Sequence, residues 1–339
     1  MTIARCLLAF AGLGALTTAV HAEPTKYPLT LQNCGETVTF EKAPESAVTV
    51  GQSATEILYA LGLGDKVKGT AVWANEIQEE FREINAKVDR IADGDPSFEA
   101  IVGKRPGLVA IQWEYTIGPQ GTVGTRGQFH DIGIPTYVLP VDCADKDNSI
   151  GSDGTRFAPL ETENILAGVR ELAQIFDVQD KGEAVIADLK AREARAIQKA
   201  RAARSEGASA VFWYSSSDKA IDPFVAGAKG APGFMLEQLG IRNVIESEED
   251  WPIVGWETIA RADPTFIVVA RMARRKYVAD DVEKKIEFLK TDPVTSQMSA
   301  VKENRIVTMD AHAMDPTMGT FGGLEILADA VENAKLPTR

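Results

Sequence analysis

Histidine and cysteine are the scarce residues of this 339-residue chain, with three of each. His21, His130 and His312 are too few and too scattered for a zinc carrier, whose metal needs imidazoles and thiolates gathered in one place. Beyond the N-terminus, no apolar run approaches the roughly 20 residues of a membrane-spanning helix. No G-x-S-x-G or H-E-x-x-H pattern occurs, so an enzyme reading has no nucleophile–base arrangement and would rest on carboxylates alone. Positive charge is also short. Thirty-six Lys and Arg stand against 49 Asp and Glu, and the net charge of −13 argues against a nucleic-acid partner.

The N-terminus has the form of an export signal. Arg5 opens a short basic region, Cys6 to Val20 is almost wholly apolar, and Val20-His21-Ala22 places small residues around His21. A secretory signal peptide over residues 1–22, cleaved after Ala22, is expected, and with it a periplasmic location. Ile3-Ala4-Arg5 before Cys6 lack the small and aliphatic character of a lipid-attachment site, so no lipid anchor is expected. Cleavage would remove Arg5 and no acid, leaving 317 residues and a net charge of −14. That length exceeds one comfortable core and predicts two domains. Only Cys34 and Cys143 would remain, either paired or as two unconnected thiols; a bridge between them would contribute a few kcal/mol.

Short β-branched runs alternate with amphipathic stretches. Residues 47–50, 67–70, 108–112 and 136–139 read as strands, and 53–61, 76–85, 97–102 and 127–132 as helices. The rhythm restarts with strands at 210–214, Val244, 266–270 and 305–309 and ends in a helix over 321–333. Between the halves, Val185, Leu189 and Ile197 fall at helical spacing in an Ala-rich charged stretch without Gly or Pro from Glu183 to Glu206. This predicts one stiff helix over 180–205, joining lobes at 23–179 and 206–339. The fold class expected is α/β, with two Rossmann-like lobes, each a sheet between helical layers, and a ligand cleft between them.

One unit occurs twice. Ser97 to Gln112 and Gly255 to Ala270 each carry a glutamate near the start of a helix, a proline seven residues later and a hydrophobic strand directly after it. Glu99 and Glu257 occupy matching places.

The doubled unit flanking a long helix resembles the periplasmic binding proteins of ABC importers for iron-siderophores, vitamin B12 and haem. The resemblance runs from about Leu31 to Ala334. It includes Ala43-Pro44 before the strand at 47–50, Ser53 to Leu58 leading into Leu61-Gly62, and Asp222 to Gly227, similar to a loop bordering the ligand. It implies that Glu99 and Glu257 dock on arginines of a dimeric inner-membrane permease, a charge-assisted contact that fixes orientation. Taken singly, each glutamate is better explained by the helix macrodipole, which favours an acid in the first turn; the matched pair favours docking.

Ligands of two-lobed α/β proteins sit beyond the carboxyl ends of the strands. Trp73, Trp113, Tyr115, Arg126, Tyr214, Trp251, Arg271 and Arg274 lie after strands and are the candidate ligand-binding residues; Trp73, Tyr214 and Trp251 match aromatic positions of the resembled family. Arginines there suit an anionic chelate, which ranks an iron-siderophore complex first. Cobalamin, haem or another cofactor-sized molecule is the alternative, and a periplasmic enzyme or sensor domain ranks last. Asp93, six residues before Glu99 where Trp251 precedes Glu257, argues against flat macrocycles, and haem also wants an axial His or Tyr. Asp142, Asp145, Asp147 and Asp153 read as a surface loop, Arg274-Arg275 in part as a basic turn, and Gly118 to Gly127 as weak evidence for nucleotide. A monomer without a resident metal or cofactor is expected.

Overall fold

The computed structural model describes residues 22–119, 121–150, 154–218 and 221–336. The expected signal peptide, apart from Ala22, lies outside these residues. A hairpin, β1 (Leu29–Asn33) and β2 (Glu36–Phe40), leads into the first lobe. Its two-residue turn, Cys34-Gly35, has both φ angles positive, as a tight hairpin requires. The lobe then runs β3 (Ala47–Val50), α1 (Gln52–Ala60), β4 (Val67–Ala71), α2 (Arg82–Asn85), β5 (Arg90–Ala92), α3 (Phe98–Val102), β6 (Val109–Ile111), α4 (Arg126–Asp131) and β7 (Thr136–Val138). Strands β3 to β7 form one parallel sheet in the order β5-β4-β3-β6-β7. The core strands β3 and β6 are buried throughout, which is why their sequences are continuous apolar runs and not alternations.

A small ladder, β8 (Lys146–Asp147) with β9 (Thr155–Arg156), precedes two helices, α5 (Thr162–Ile175) and α6 (Gln179–Ala202). The second lobe contains β10 (Ser209–Ser215), β11 (Phe224–Val225), α7 (Ala231–Gln238), β12 (Arg242–Asn243), α8 (Trp256–Ala262), β13 (Phe266–Arg271), α9 (Val282–Thr291), α10 (Ser299–Lys302), β14 (Ile306–Asp310), α11 (Ala311–Met314) and α12 (Gly319–Ala334). Its sheet runs β11-β10-β13-β14, with β12 beside β10 and the three longest strands parallel. Among the described residues no helix is long and apolar enough to cross a membrane.

The predicted joining helix is α6, 24 residues and about 36 Å long at 1.5 Å per residue. It is packed along its length. Gly182 lets it approach α5 so closely that a Cβ there would stand 2.6 Å from Ala173 Cβ. Ile186, Leu189, Ala196 and Ala200 are buried, and Arg192 pairs with Glu325 of α12 at 2.8 Å. The strongly amphipathic helix α5 was not among the helices expected from the sequence. The stretch 76–85, expected as one helix, is a 3-10 turn followed by the four-residue α2.

Two buried contacts fix one lobe against the other. Asn75, four residues past β4, donates through Nδ2 to Arg271 O at 2.8 Å and accepts from His312 N through Oδ1 at 3.1 Å. Glu56 of α1 meets His312 Nε2 at 2.8 Å, with both side chains almost fully buried. The other contact lies at β9, where Arg156 Nε reaches Asp250 Oδ2 at 3.1 Å.

Burial alone would lower the His312 pKa, but the Glu56 charge and hydrogen bond, helped by Asp315 and Asp310, raise it above the usual imidazole value. A raised folded value stabilises fully below the unfolded value of about 6.5 and is lost as pH climbs through the folded value. The substitution His312→Gln should therefore cost on the order of 3 kcal/mol near pH 6. In urea titrations its difference from wild type should shrink as the pH is raised; a constant difference would count against the charged pair.

Cys34 and Cys143 form a disulfide that closes 109 residues of sequence. It ties the hairpin turn to the segment after β7. A loop of that size carries about 4–5 kcal/mol of chain-entropy stabilisation, and reduction should lower the Tm by roughly 10 °C. Calorimetry with and without reductant checks this.

Candidate functional site

Both sheets present their carboxyl ends to the junction of the lobes, so the segments after β4, β6, β10, β13 and β14 supply its side chains. In the first lobe, β3 turns into α1 at Gly51, whose φ of 114° and 2.3 Å approach of Gln112 Cβ to a hypothetical Cβ admit only glycine. Gln112 Oε1 then accepts from Ser53 N at 2.9 Å, which locks the end of β6 to the start of α1. Directly after Gln112 come Trp113 and Tyr115, with ring centroids 6.3 Å apart; Trp113 is half-buried and Tyr115 is 44% exposed.

In the second lobe, Tyr214 near the end of β10 packs its ring against Trp251 at 4.6 Å, and both are half-buried. Trp251 is held because Asp250 to Pro252 runs beside β11: Gly227 N donates to Asp250 O and Val225 N to Pro252 O, both at 3.0 Å. The structure thus makes two aromatic pairs, one per lobe, from four of the predicted residues.

A buried charge cluster links these two pairs. Asp142 takes Lys146 Nζ at 2.9 Å and, through its other oxygen, Glu114 N at 2.6 Å. Asn148 bonds both Glu114 Oε2 and Asp142 O. Arg156 spans from Val141 O to Asp250. Burial raises the Asp250 pKa, against the pull of Arg156 and Lys146. One reading therefore needs correction: Asp142 is a buried structural acid and not part of a surface loop. Arg156 and Asp250, absent from the candidate residues, form a second charged bridge between the lobes beside Glu56–His312. Asp145 is exposed on the loop and Asp147 is half-buried in β8, while Asp153 lies outside the described residues.

Two predicted ligand residues are placed elsewhere. Trp73 is buried, its indole N–H donates to Thr70 Oγ1 at 3.0 Å, and the Arg90 guanidinium lies over its ring at 4.6 Å. Arg126 is buried under the hairpin, bonding Asn33 O at 2.7 Å, Asn33 Oδ1 at 3.0 Å and Thr136 Oγ1 at 3.1 Å. Its charge holds the hairpin turn and faces no cleft. Asp93 pairs with Arg90 at 3.2 Å on the surface, so it carries no information on ligand shape.

The basic segment after β13 sits on the interlobe seam. Ala273 N and Arg274 N both donate to Ala74 O, at 3.0 and 3.1 Å. Arg271 pairs with Asp310 at 2.7 Å and Arg275 with Asp281 at 2.9 Å. Arg274 is exposed and, among the described residues, has no ion-pair partner.

Glu99 and Glu257 are each the second residue of a helix, α3 and α8, and both are exposed without an ion pair among the described residues. Ser97 caps α3 through Ala100 N, whereas Gly255 starts α8 with no side-chain cap. The repeat read from sequence is a structural repeat, one helix-to-strand unit per lobe.

Comparison with known proteins agrees with this architecture. The profile of the periplasmic binding protein family matches residues 48–313. An uncharacterized ABC transporter substrate-binding lipoprotein of Bacillus subtilis, YvrC, is 23% identical over 310 residues, 91% of this chain and 85% of the relative. A periplasmic binding protein from Veillonella parvula superimposes with a TM-score of 0.73 at 23% identity, covering 90% of this chain and 97% of that one. An ABC-type Fe3+-hydroxamate transport protein from Saccharomonospora viridis gives 0.69 at 22% identity, covering 90% and 99%. The periplasmic haem-binding protein RhuT from Roseiflexus gives 0.66 at 21%, covering 86% and 99%. With two lobes, a stiff joining helix and this profile match, the chain belongs to the periplasmic binding protein family.

Proposed function

We propose that this protein is the exported substrate-binding component of an ABC importer, and that it captures an anionic metal chelate of the iron-siderophore type as a monomer. The observation that carries the ligand class is the set of groups at the junction: an aromatic pair in each lobe, Trp113–Tyr115 and Tyr214–Trp251, and the exposed Arg274 on the interlobe seam, where its backbone bonds Ala74. Aromatic faces suit catecholate or hydroxamate groups, and an arginine suits the net negative charge of such complexes. The transport role is supported by family membership and by the Bacillus subtilis relative's place in an ABC transporter.

Haem is the second reading, favoured by the exposed Tyr115 and Tyr277, either of which could offer a phenolate to iron. The histidines favour the chelate instead. His312 is bonded to Glu56, and His130 to Thr136 at 2.9 Å, so both imidazoles are engaged within the protein. Docking is assigned to Glu99 and Glu257. Two carboxylates with no ion pair among the described residues, at equivalent helix starts on rigidly joined lobes, form a two-point contact for arginines of a dimeric permease.

Titration with ferric tris(2,3-dihydroxybenzoate), followed by tryptophan emission, should give saturable quenching, and Arg274→Ala should weaken binding about tenfold. Quenching by haem alone would replace the chelate with the second reading. The double variant Glu99→Ala/Glu257→Ala should keep wild-type ligand affinity while losing uptake in cells carrying the permease; undiminished uptake would remove the docking assignment.

A further inference from the structure

Lysine is among the residues least often fully buried, yet Lys285 of α9 has no exposed surface. Its Nζ donates to Tyr214 O and, at 2.9 Å, to Ala270 O, and lies 5.5 Å from the centre of the Trp213 ring. Those two carbonyls stand at a special place. The last β10–β13 pair is Trp213 with Val269, and beyond it β10 shifts register towards β11 while β13 continues along β14. The ammonium bridges the two strand ends where they part, one residue past their last pairing.

A second tie adjoins the first. The buried Asp280 accepts the hydroxyl of Ser215 with one oxygen and, with the other, Lys276 N at 2.7 Å and Tyr277 N at 2.8 Å. Together the two side chains fasten the 272–280 segment, which carries Arg274 and Tyr277, to the end of β10, which carries Tyr214. Burial lowers the Lys285 pKa to about 7, with Asp280 opposing the shift. A group kept there at the cost of desolvating an ammonium is placed where an apolar side chain would leave two carbonyls unpaired.

We propose that Lys285 is a positioning residue for ligand capture: by clamping the Tyr214 and Ala270 carbonyls it sets the aromatic and basic groups of the second lobe around an anionic chelate. This rests on the ligand reading above, that these strand ends face the ligand. A merely structural lysine would affect folding without affecting the site, and Leu289, buried on the same helix, supplies the control.

Wild type, Lys285→Met and Leu289→Ala are compared at a temperature where all are folded. Affinity for ferric tris(2,3-dihydroxybenzoate) is measured, and deuterium uptake at 212–216 and 270–280 is followed without ligand. Lys285→Met should weaken binding at least tenfold and speed exchange in both segments, while Leu289→Ala changes neither. Wild-type affinity or wild-type exchange in Lys285→Met would overturn the proposal, as would equal changes in Leu289→Ala. Should wild type not bind this chelate, the ligand reading fails on its own, and the exchange comparison still decides the clamp. Should Lys285→Met not fold, Asp280→Asn, which weakens the adjoining tie, enters the same two assays with the same outcomes.

Discussion

The site depends on the contact between Glu56 and His312, a charged hydrogen bond buried between two lobes that share no sheet. Separating the lobes would take His312 from the Glu56 carboxylate, leaving it the Gln52 amide, and would strip the Asn75 amide of both Arg271 O and His312 N. With α6 packed against α5 and α12, that penalty keeps the lobes in one relation. Side chains on two separate sheets can then form a single site, because their spacing varies little.

Buried basic side chains recur in this construction, and each holds backbone in place. Arg126 secures the hairpin turn through Asn33, Arg156 joins the Asp142 segment to Asp250, and Lys285 ties β10 to β13. Every one is bonded to a carbonyl or a carboxylate, as a buried polar group must be. What remains for a ligand is smaller than the number of basic residues suggests. Arg271 and Arg275, though exposed, are paired with Asp310 and Asp281, whereas Arg274 on the seam has no ion-pair partner among the described residues.

The parallel strands were legible because buried β-branched runs such as 47–50 and 266–271 leave a mark in the sequence that needs no partner to be recognised. The joining helix was legible for a similar reason, since propensity and the absence of Gly and Pro are local properties. Helix α5 carries a local pattern too, with Ile165, Leu166, Val169, Leu172 and Ile175 on its buried face. Trp73 and Arg126 turn inward, because a position after a strand says where the backbone goes and not which way the side chain turns. The Glu56–His312 pair spans 256 residues of sequence, and no local pattern announces such a contact.

The sequence by itself determined the two α/β lobes, the stiff helix between them and the equivalence of Glu99 with Glu257, because periodicity, propensity and repetition act over short stretches of chain. Tertiary structure alone decided which charges are available. Desolvation and pairing depend on neighbours brought from far along the chain, and only packing shows that Arg126, Arg156 and Lys285 are engaged within the protein while Arg274 faces outward.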